Sequence, residues 1–378
     1  MPLQREVENA LRNLKHACYA GLDSVSLRQE VIRRIGSVVP SDACCLTTAD
    51  PAAGLINHAL GERLSSEKAR EFLANIYPEH EADLFLDMAT SGAPVATLRL
   101  SASGTRSSHH SAAFGNWLQE QGFCYELRAV FSVRGVLWGT GCWMRGGRGR
   151  AFDEREVRLL RRAVPHVARA LRAAALKEAT QNGSALDSPG DDPLIGVLAT
   201  STDDRIVFGN LPAQRYLADL ARHDRWDFSD SRLPWVLSLV LGRVSHLPRG
   251  KARGEGAECP EVRLNVRGAS GQWYRLRASL SLSELGTDAN AVKLALIAPV
   301  GLPHLATVLA ELHGLSPRER EVIGWVVRGE SSREMAARLN LSVHTVQDHV
   351  NHACQKLGVR GRKQLLAYLF GTCQARVP

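Results

Sequence analysis

The sequence predicts a multidomain chain, with an α/β domain first, an α+β domain in the middle and an all-α domain at the C-terminus. Residues 315–370 repeat a helical grammar of caps, apolar stripes and glycine stops, with no strand pattern among them. Two upstream stretches alternate apolar and polar residues around short turns, the mark of hairpins. At 378 residues the chain is too long for one ordinary domain. The expected boundaries are 1–180 for the α/β domain, 181–192 for a linker, 193–303 for the α+β domain and 304–378 for the helical one.

In the first domain, Val7, Leu11, Leu14 and Cys18 repeat at helical spacing, and Leu27, Val31, Ile32 and Ile35 begin a second helix. Asp42 to Thr48 is a short apolar run with strand character, and Gly54 to Leu60 is its expected partner. A helical stretch is expected from Ser66 to Ala89, and Ser101 to Phe114, polar and unperiodic, reads as a loop. Leu127 to Val133, the Arg134-Gly135 turn and Val136 to Met144 make a hairpin. Asp153 and Glu156 then form a capping box that opens a long helix. Its Val157, Leu160, Val164, Val167, Leu171 and Ala174 recur at three-four spacing, the seam of a two-helix coil. Pro165 is expected to kink it.

Gln181 to Asp192 is small and polar and reads as a linker. Beyond it, Ile195 to Ala199, a turn at Thr202 to Arg205, and Ile206 to Phe208 form a second hairpin, and Asn210 opens a helix through Tyr216 and Leu220. Arg243 to Gly256 looks like an irregular insertion. Glu261 to Val266 and Gln272 to Leu280 flank the turn GASG, and Val292 to Val300 adds a last strand. Trp226, Trp235 and Phe208 are placed in the core or facing a cavity. Cys259-Pro260 lacks a second axial ligand in view, so haem is not supported.

In the last domain, Ser316 stands at an N-cap, Pro317 at the first helical position and Glu319 three residues after the cap. Val322, Ile323, Val326 and Val327 form the apolar stripe and Gly329 supplies the stop. Ser331 with Glu334 caps a second helix carrying Met335, Ala336 and Leu339, and Ser342 caps a third that runs to Gly358. Two helices joined by so short a turn cross steeply, as in a helix-turn-helix. On the third helix Val346, Val350, Ala353 and Leu357 share a narrow arc, with His344, Gln347, Asp348, Asn351 and Gln355 almost opposite. Such a face is either simply solvated or shaped for the donors and acceptors of the major groove.

Composition narrows the function classes. The formal charge is +8, but only 7 of the 47 basic residues are Lys, so the charge alone is weak support for nucleic acid. Neither a long apolar run nor a signal-peptide layout is present, which points to a cytoplasmic protein without a membrane partner. The 8 cysteines are scattered without metal-type spacing and read as buried thiols. There is no phosphate loop, nucleophile elbow or paired histidine-carboxylate motif, so neither catalysis nor a cofactor nor a metal is expected.

Leu315, Arg318, Glu319, Glu321, Val322, Gly329, Glu334, Ala336, Leu339, Leu341, Ser342, Thr345, Val346, His349, Val350, Lys356, Leu357, Gly358, Val359 and Arg362 stand in an order and spacing that resembles the LuxR-type helix-turn-helix domain of bacterial transcription regulators. The resemblance implies a core from Ser332 to Asn351, a major-groove helix from Val343 to Leu357, and a dimer on a two-part site in double-stranded DNA. Family members often carry a cation where this chain has Gln347 and a basic or polar residue at Asn351. Two amides move weight toward base reading, since both pair bidentately with adenine. His344, Gln347, Asp348 and Asn351 are therefore the expected base contacts, and Ser331, Ser332, Arg333, Thr345 and Lys356 the phosphate contacts. His349, beside the apolar arc, is expected to pack.

Upstream, the hairpin and long helix over Glu126 to Ala175 resemble a GAF domain, and the strands and short helices after residue 193 resemble a PAS domain. These resemblances imply a one-component regulator with a small-molecule effector, and RNA polymerase as a further candidate partner. Trp117, Phe123, Cys142 and Trp143 are the candidate pocket residues, with core packing as the competing role. The alternative is a regulator controlled by a protein partner, its upstream domains ligand-free and used only for dimerisation. Neither a phosphorylated receiver domain nor the Trp, Tyr and Asp spacing of an acyl-homoserine-lactone domain is evident.

Overall fold

Two five-stranded antiparallel sheets organise the upstream chain. The computed structural model describes residues 2–73, 77, 81–99, 111–147, 149–181, 194–222, 233–246, 261–281, 292–300, 315–327, 330–362 and 364–365. Residues 1–173 and 194–298 form one compact unit, and 174–193 with 299–378 a second. Residues 182–192 of the expected linker, most of the 101–114 loop, Trp226, residues 247–256, Cys259-Pro260, the Gly329 stop, and Leu366, Leu369 and Phe370 lie outside the described residues.

In the first unit α1 (Pro2–Cys18) and α2 (Ser24–Gly36) precede β1 (Ala43–Asp50) and β2 (Leu55–Glu62). Asp23 caps α2 by accepting from the Val25 and Ser26 amides. The helical stretch expected from Ser66 contains α3 (Ser66–Glu71) and α4 (Ala82–Thr90), and Phe72, Leu73, Tyr77 and Glu81 between them are in the wider π-helical geometry. After β3 (Val95–Arg99), Ser111 accepts from Phe114 N and starts α5 (Ala112–Glu120) inside the stretch that reads as loop. Glu81 holds that cap in place through the Ser111 amide at 3.0 Å and its hydroxyl at 2.5 Å. β4 (Phe123–Val133) and β5 (Val136–Gly146) form the expected hairpin, and the sheet order is β2-β1-β5-β4-β3.

Asp153 and Glu156 form the capping box of α6 (Glu154–Gln181). Its seam residues Val157, Leu160, Val164, Val167 and Leu171 are buried. The two-helix coil is corrected in one respect. Leu171 of the seam lies over Gly139 of β5, while Tyr19 Oη meets His166 Nδ1 at 2.8 Å and Arg162 pairs with Glu8 on another side of the helix, so the seam meets the sheet and a neighbouring face of α6 meets α1 and the residue after it. Gly139, having no side chain, leaves the space in which Leu171 meets the strand.

The second sheet contains β6 (Gly196–Thr200), β7 (Ile206–Gly209), β8 (Glu261–Arg267), β9 (Trp273–Ser281) and β10 (Val292–Pro299), in the order β7-β6-β10-β9-β8. Between β7 and β8 lie α7 (Leu211–Ala221), capped by Asn210, and α8 (Trp235–His246). Trp235 belongs to the core at 1% exposure, whereas Phe208 faces neither core nor cavity and is 55% exposed. The start of the expected insertion, Arg243 to His246, is the last turn of α8.

One apolar core runs through both sheets. It joins Leu55, Ile56, Phe85 and Met88 to Trp235, Leu239, Leu264 and Leu276. A buried polar clamp crosses the same seam: Asp50 accepts from Asn265 N at 2.6 Å and Nδ2 at 3.1 Å, and Asn57 donates to Asn265 O at 3.1 Å. Buried partners of this kind must satisfy one another, so the clamp fixes the two sheets in register as well as in contact.

Candidate nucleic-acid interface

The second unit carries α9 (Pro317–Val327), α10 (Ser332–Leu339) and α11 (Val343–Leu357). Each start is capped as its residues dictate. Ser316 Oγ accepts from Glu319 N while Glu319 Oε2 accepts from Ser316 N at 2.7 Å. Ser331 and Glu334 repeat the arrangement for α10, and Ser342 Oγ accepts from Thr345 N at 3.0 Å for α11. The stops are left-handed residues, Asn340 at φ 52° after α10 and Gly358 at φ 67° after α11. Only Asn340, Leu341 and Ser342 separate the two helices.

Val322, Ile323 and Val326 of α9, Met335 and Ala336 of α10, and Val346, Ala353, Cys354 and Leu357 of α11 are buried together with Leu365. Val350, expected in that arc, is half-buried, and His349 sits beside it half-buried as well. The opposite side of α11 is open: His344, Gln347, Asn351 and Gln355 are exposed. Asp348 is half-buried, its Oδ2 3.7 Å from His344 Nε2 one turn earlier. All four expected base readers therefore share one face.

Among the expected phosphate contacts, Ser331 and Arg333 are exposed and Ser332 and Thr345 half-exposed around the starts of α10 and α11. Lys356, also exposed, already has a partner within the domain. Its Nζ lies 2.6 Å from Glu319 Oε2, tying the end of α11 to the start of α9. Burial pushes the Glu319 carboxyl up, but the Lys356 ammonium and the Ser316 donors outweigh it and hold it below the ordinary value. The sequence reading missed this pair, because a capping-box glutamate announces its partner at the cap and not the second one across the fold. Arg360, exposed just beyond the α11 stop, is a further cation that it missed.

Residues 313–369 match the family model of bacterial regulatory proteins, luxR family. Over 56 residues the chain is 44% identical to the spore germination protein GerE of Bacillus subtilis, a stretch covering 15% of this chain and 76% of GerE. The chain belongs to the luxR family of bacterial regulatory proteins. Its C-terminal segment is the helix-turn-helix DNA-binding domain of a transcription regulator. The chain is also 33% identical over 97 residues to the transcriptional activator protein BjaR1 of Bradyrhizobium diazoefficiens, 24% of this chain and 40% of BjaR1. The GAF domain of a phosphoenolpyruvate-protein phosphotransferase from Coxiella burnetii aligns over 46% of this chain and 98% of its own, with 16% identity and a TM-score of 0.33.

Upstream of its DNA-binding domain, this luxR-family chain has a narrow cavity of about 30 Å³ between the first sheet and α3 to α5, with Trp117, Phe72, Phe114, Cys45 and Cys142 in its walls. Trp117 Nε1 is buried there with no hydrogen-bond partner among the described residues. Cys45 and Cys142 stand opposite each other in the β1–β5 register, and burial pushes the Cys45 thiol up to about 12. Nearby, the fully buried Arg128 lies 2.6 Å from Glu81 and 3.3 Å from Glu126, its guanidinium over the Phe85 and Phe114 rings. The four expected pocket residues do not meet. Trp143 follows Cys142 in the strand and so faces the other side, toward Ile32 and Cys44, and Phe123 packs against the Trp117 cluster without lining the cavity.

Proposed function

We propose that this chain is a one-component regulator that grips a two-part operator as a homodimer, with α11 of each copy in the major groove. The observation that carries this is the amide face of α11: Gln347 and Asn351 exposed one turn apart, opposite a buried seam. Amides on such a face match adenine N6 and N7, and His344 and Asp348 extend the reading surface at the start of the helix. Ser331, Ser332, Arg333 and Thr345 supply phosphate contacts from capped helix starts, where free amides and the helix dipole already favour anions. Lys356 holds the helix instead.

Footprinting of genomic fragments tests the reading. Protection of two related half-sites whose centres lie about one or two helical turns apart is the expected pattern. Protection of isolated single half-sites at all concentrations is the pattern that defeats the dimeric part.

The upstream domains, GAF-like and PAS-like in pattern, receive the signal in this reading. The cavity at Trp117, at about 30 Å³, holds a water or two and no metabolite, which favours a second reading, control by a protein partner, over an effector there; the open cleft of about 550 Å³ beside Ile32, Cys44 and Trp143 is the larger space in the same domain. Thermal shift with a metabolite panel separates them, since a ligand bound to the folded chain raises the melting temperature by mass action. A positive shift that Trp117→Phe abolishes supports the effector site. Silence across the panel supports the protein partner.

A further inference from the structure

From Arg155 to Arg169 every exposed side chain of α6 is an arginine, Pro165 apart. Arg155, Arg158, Arg162 and Arg169 fall within an arc of about 60° at about 100° per residue, and along roughly 21 Å of helix at about 1.5 Å per residue. Arg158 stands three residues from Arg155 and four from Arg162, spacings at which like charges on a helix repel. The stripe also begins in the first turn, where the helix dipole favours anions over cations. A face that is merely solvated relieves such repulsion with carboxylates of its own helix. Two other helices follow that rule: Glu30 holds both Arg33 and Arg34 on α2, and Glu321 holds Arg318 on α9. On α6, Glu154 lies 3.5 Å from Arg161 and Glu8 of α1 lies 2.5 Å from Arg162, but Arg155 and Arg158 have no ion pair among the described residues. The neighbouring helix adds to the field. Glu8 feels Lys15 and Arg12 as well as Arg162, and burial, then the charges of Lys15 and Arg169, hold the His166 imidazole below its ordinary value.

We propose that this stripe is a second DNA-binding surface, wholly within the first unit, that holds the phosphate backbone of a duplex without regard to its sequence. It goes beyond the base reading of α11 and needs only that the chain bind DNA. Charge complementarity carries it. A duplex has one negative charge per about 1.7 Å of axis, which puts about 12 beside a stripe of roughly 21 Å. A guanidinium takes a phosphate through two parallel N–H groups, so four in a line on one rigid helix can each hold one. What the face lacks argues against a protein as the occupant. The centre of a protein interface is apolar and poor in charge. No large apolar side chain of α6 is exposed among the described residues, and the exposed Tyr19 beside it is held by His166. A face of cations without an apolar centre suits an interface in which released counterions supply the affinity.

Fluorescence anisotropy of the full chain on random-sequence duplexes, repeated over a range of salt, tests this. Arg155→Gln with Arg158→Gln removes two exposed cations and strands no carboxylate, so circular dichroism and the melting transition are expected to match the native protein. Each phosphate contact adds about 0.9 to the salt slope, so this pair is expected to lower the slope by about two per bound copy and to weaken binding about tenfold or more at about 0.1 M salt. Arg134→Gln with Arg215→Gln removes the same charge from exposed positions in a hairpin turn and on α7, and is expected to leave the slope as it is. An unchanged slope in the stripe variant overturns the contact and leaves the face to an acidic protein. Equal losses in both pairs overturn it as well, as an effect of net charge alone. Sequences selected from a duplex library by the stripe variant are expected to match those of the native protein, because phosphates carry no sequence. Failure of Gln347 and Asn351 to set that preference would defeat the base reading and leave this contact standing. If the double variant misfolds, Arg158→Gln alone is expected to lower the slope by about one, and no change counts against the stripe.

Discussion

Replacing Lys356 with Met separates two roles that a cation at the end of a DNA-binding helix is given. In this structure its ammonium neutralises Glu319, whose side chain is only 6% exposed, at 2.6 Å. Removing one partner of a buried pair costs about 3–5 kcal/mol, because the other charge is left without compensation. The Lys356 side chain is 36% exposed, so solvent already screens the pair and the cost falls to about 1–3 kcal/mol. Glu319→Gln in the same chain removes the stranded charge and recovers part of it, a coupling of about 1–2 kcal/mol. Hydrogen exchange on the full chain reads this locally: protection of the α9 and α11 amides is expected to fall about 5- to 150-fold in Lys356→Met and less in the double variant. The sign of the pH dependence follows from the lowered Glu319 carboxyl. Its stabilisation is complete above the ordinary carboxylate range and disappears as pH falls through the lower folded value, so Lys356→Met flattens the acid loosening of α9. Unchanged protection, together with a DNA-binding salt slope reduced by about one contact, would refute the structural role and return Lys356 to the phosphate backbone.

Two further outcomes test the upstream unit. A methyl added at Gly139 would overlap the Thr47 carbonyl oxygen and press on Leu171 of α6, so Gly139→Ala is expected to cost about 1–3 kcal/mol and lower the melting temperature by several degrees. Gly36→Ala, where the added carbon meets nothing, is expected to lower it not at all. Asp50→Ala strands the buried Asn265 amide at a cost of about 1.5–3 kcal/mol, and hydrogen exchange is expected to loosen β1 and β8 together. Loosening of β1 alone would mean that the two sheets are not coupled.

The helical domain was legible because its signals are local. Ser316 with Glu319, Ser331 with Glu334, and Ser342 and Gly358 each act within one helical turn, and the structure forms every one of those caps. The hairpin at Arg134-Gly135 was legible for the same reason. What failed depended on distant partners. Ser111 starts a helix partly because Glu81, 30 residues earlier, holds it, and a polar run then reads as loop. α8 is buried nearly all round, from Trp235 to Gly242, and a helix with no polar face shows no amphipathic period. Trp143 looked like a neighbour of Cys142 in a pocket, but strand alternation sends adjacent side chains to opposite faces. The seam of α6 has the spacing of a coiled coil, yet its Leu171 meets a strand, because spacing specifies a stripe and not its partner.

The central claim is that Gln347 and Asn351 read bases. Selection of bound sequences from a random duplex library, with native protein and the Gln347→Ala and Asn351→Ala variants in parallel, measures it directly. Each variant is expected to lose preference at its own position within the half-site, at a cost of about 1–3 kcal/mol on the native site, and to keep its preference elsewhere. Identical sequence preferences in all three proteins would contradict the account.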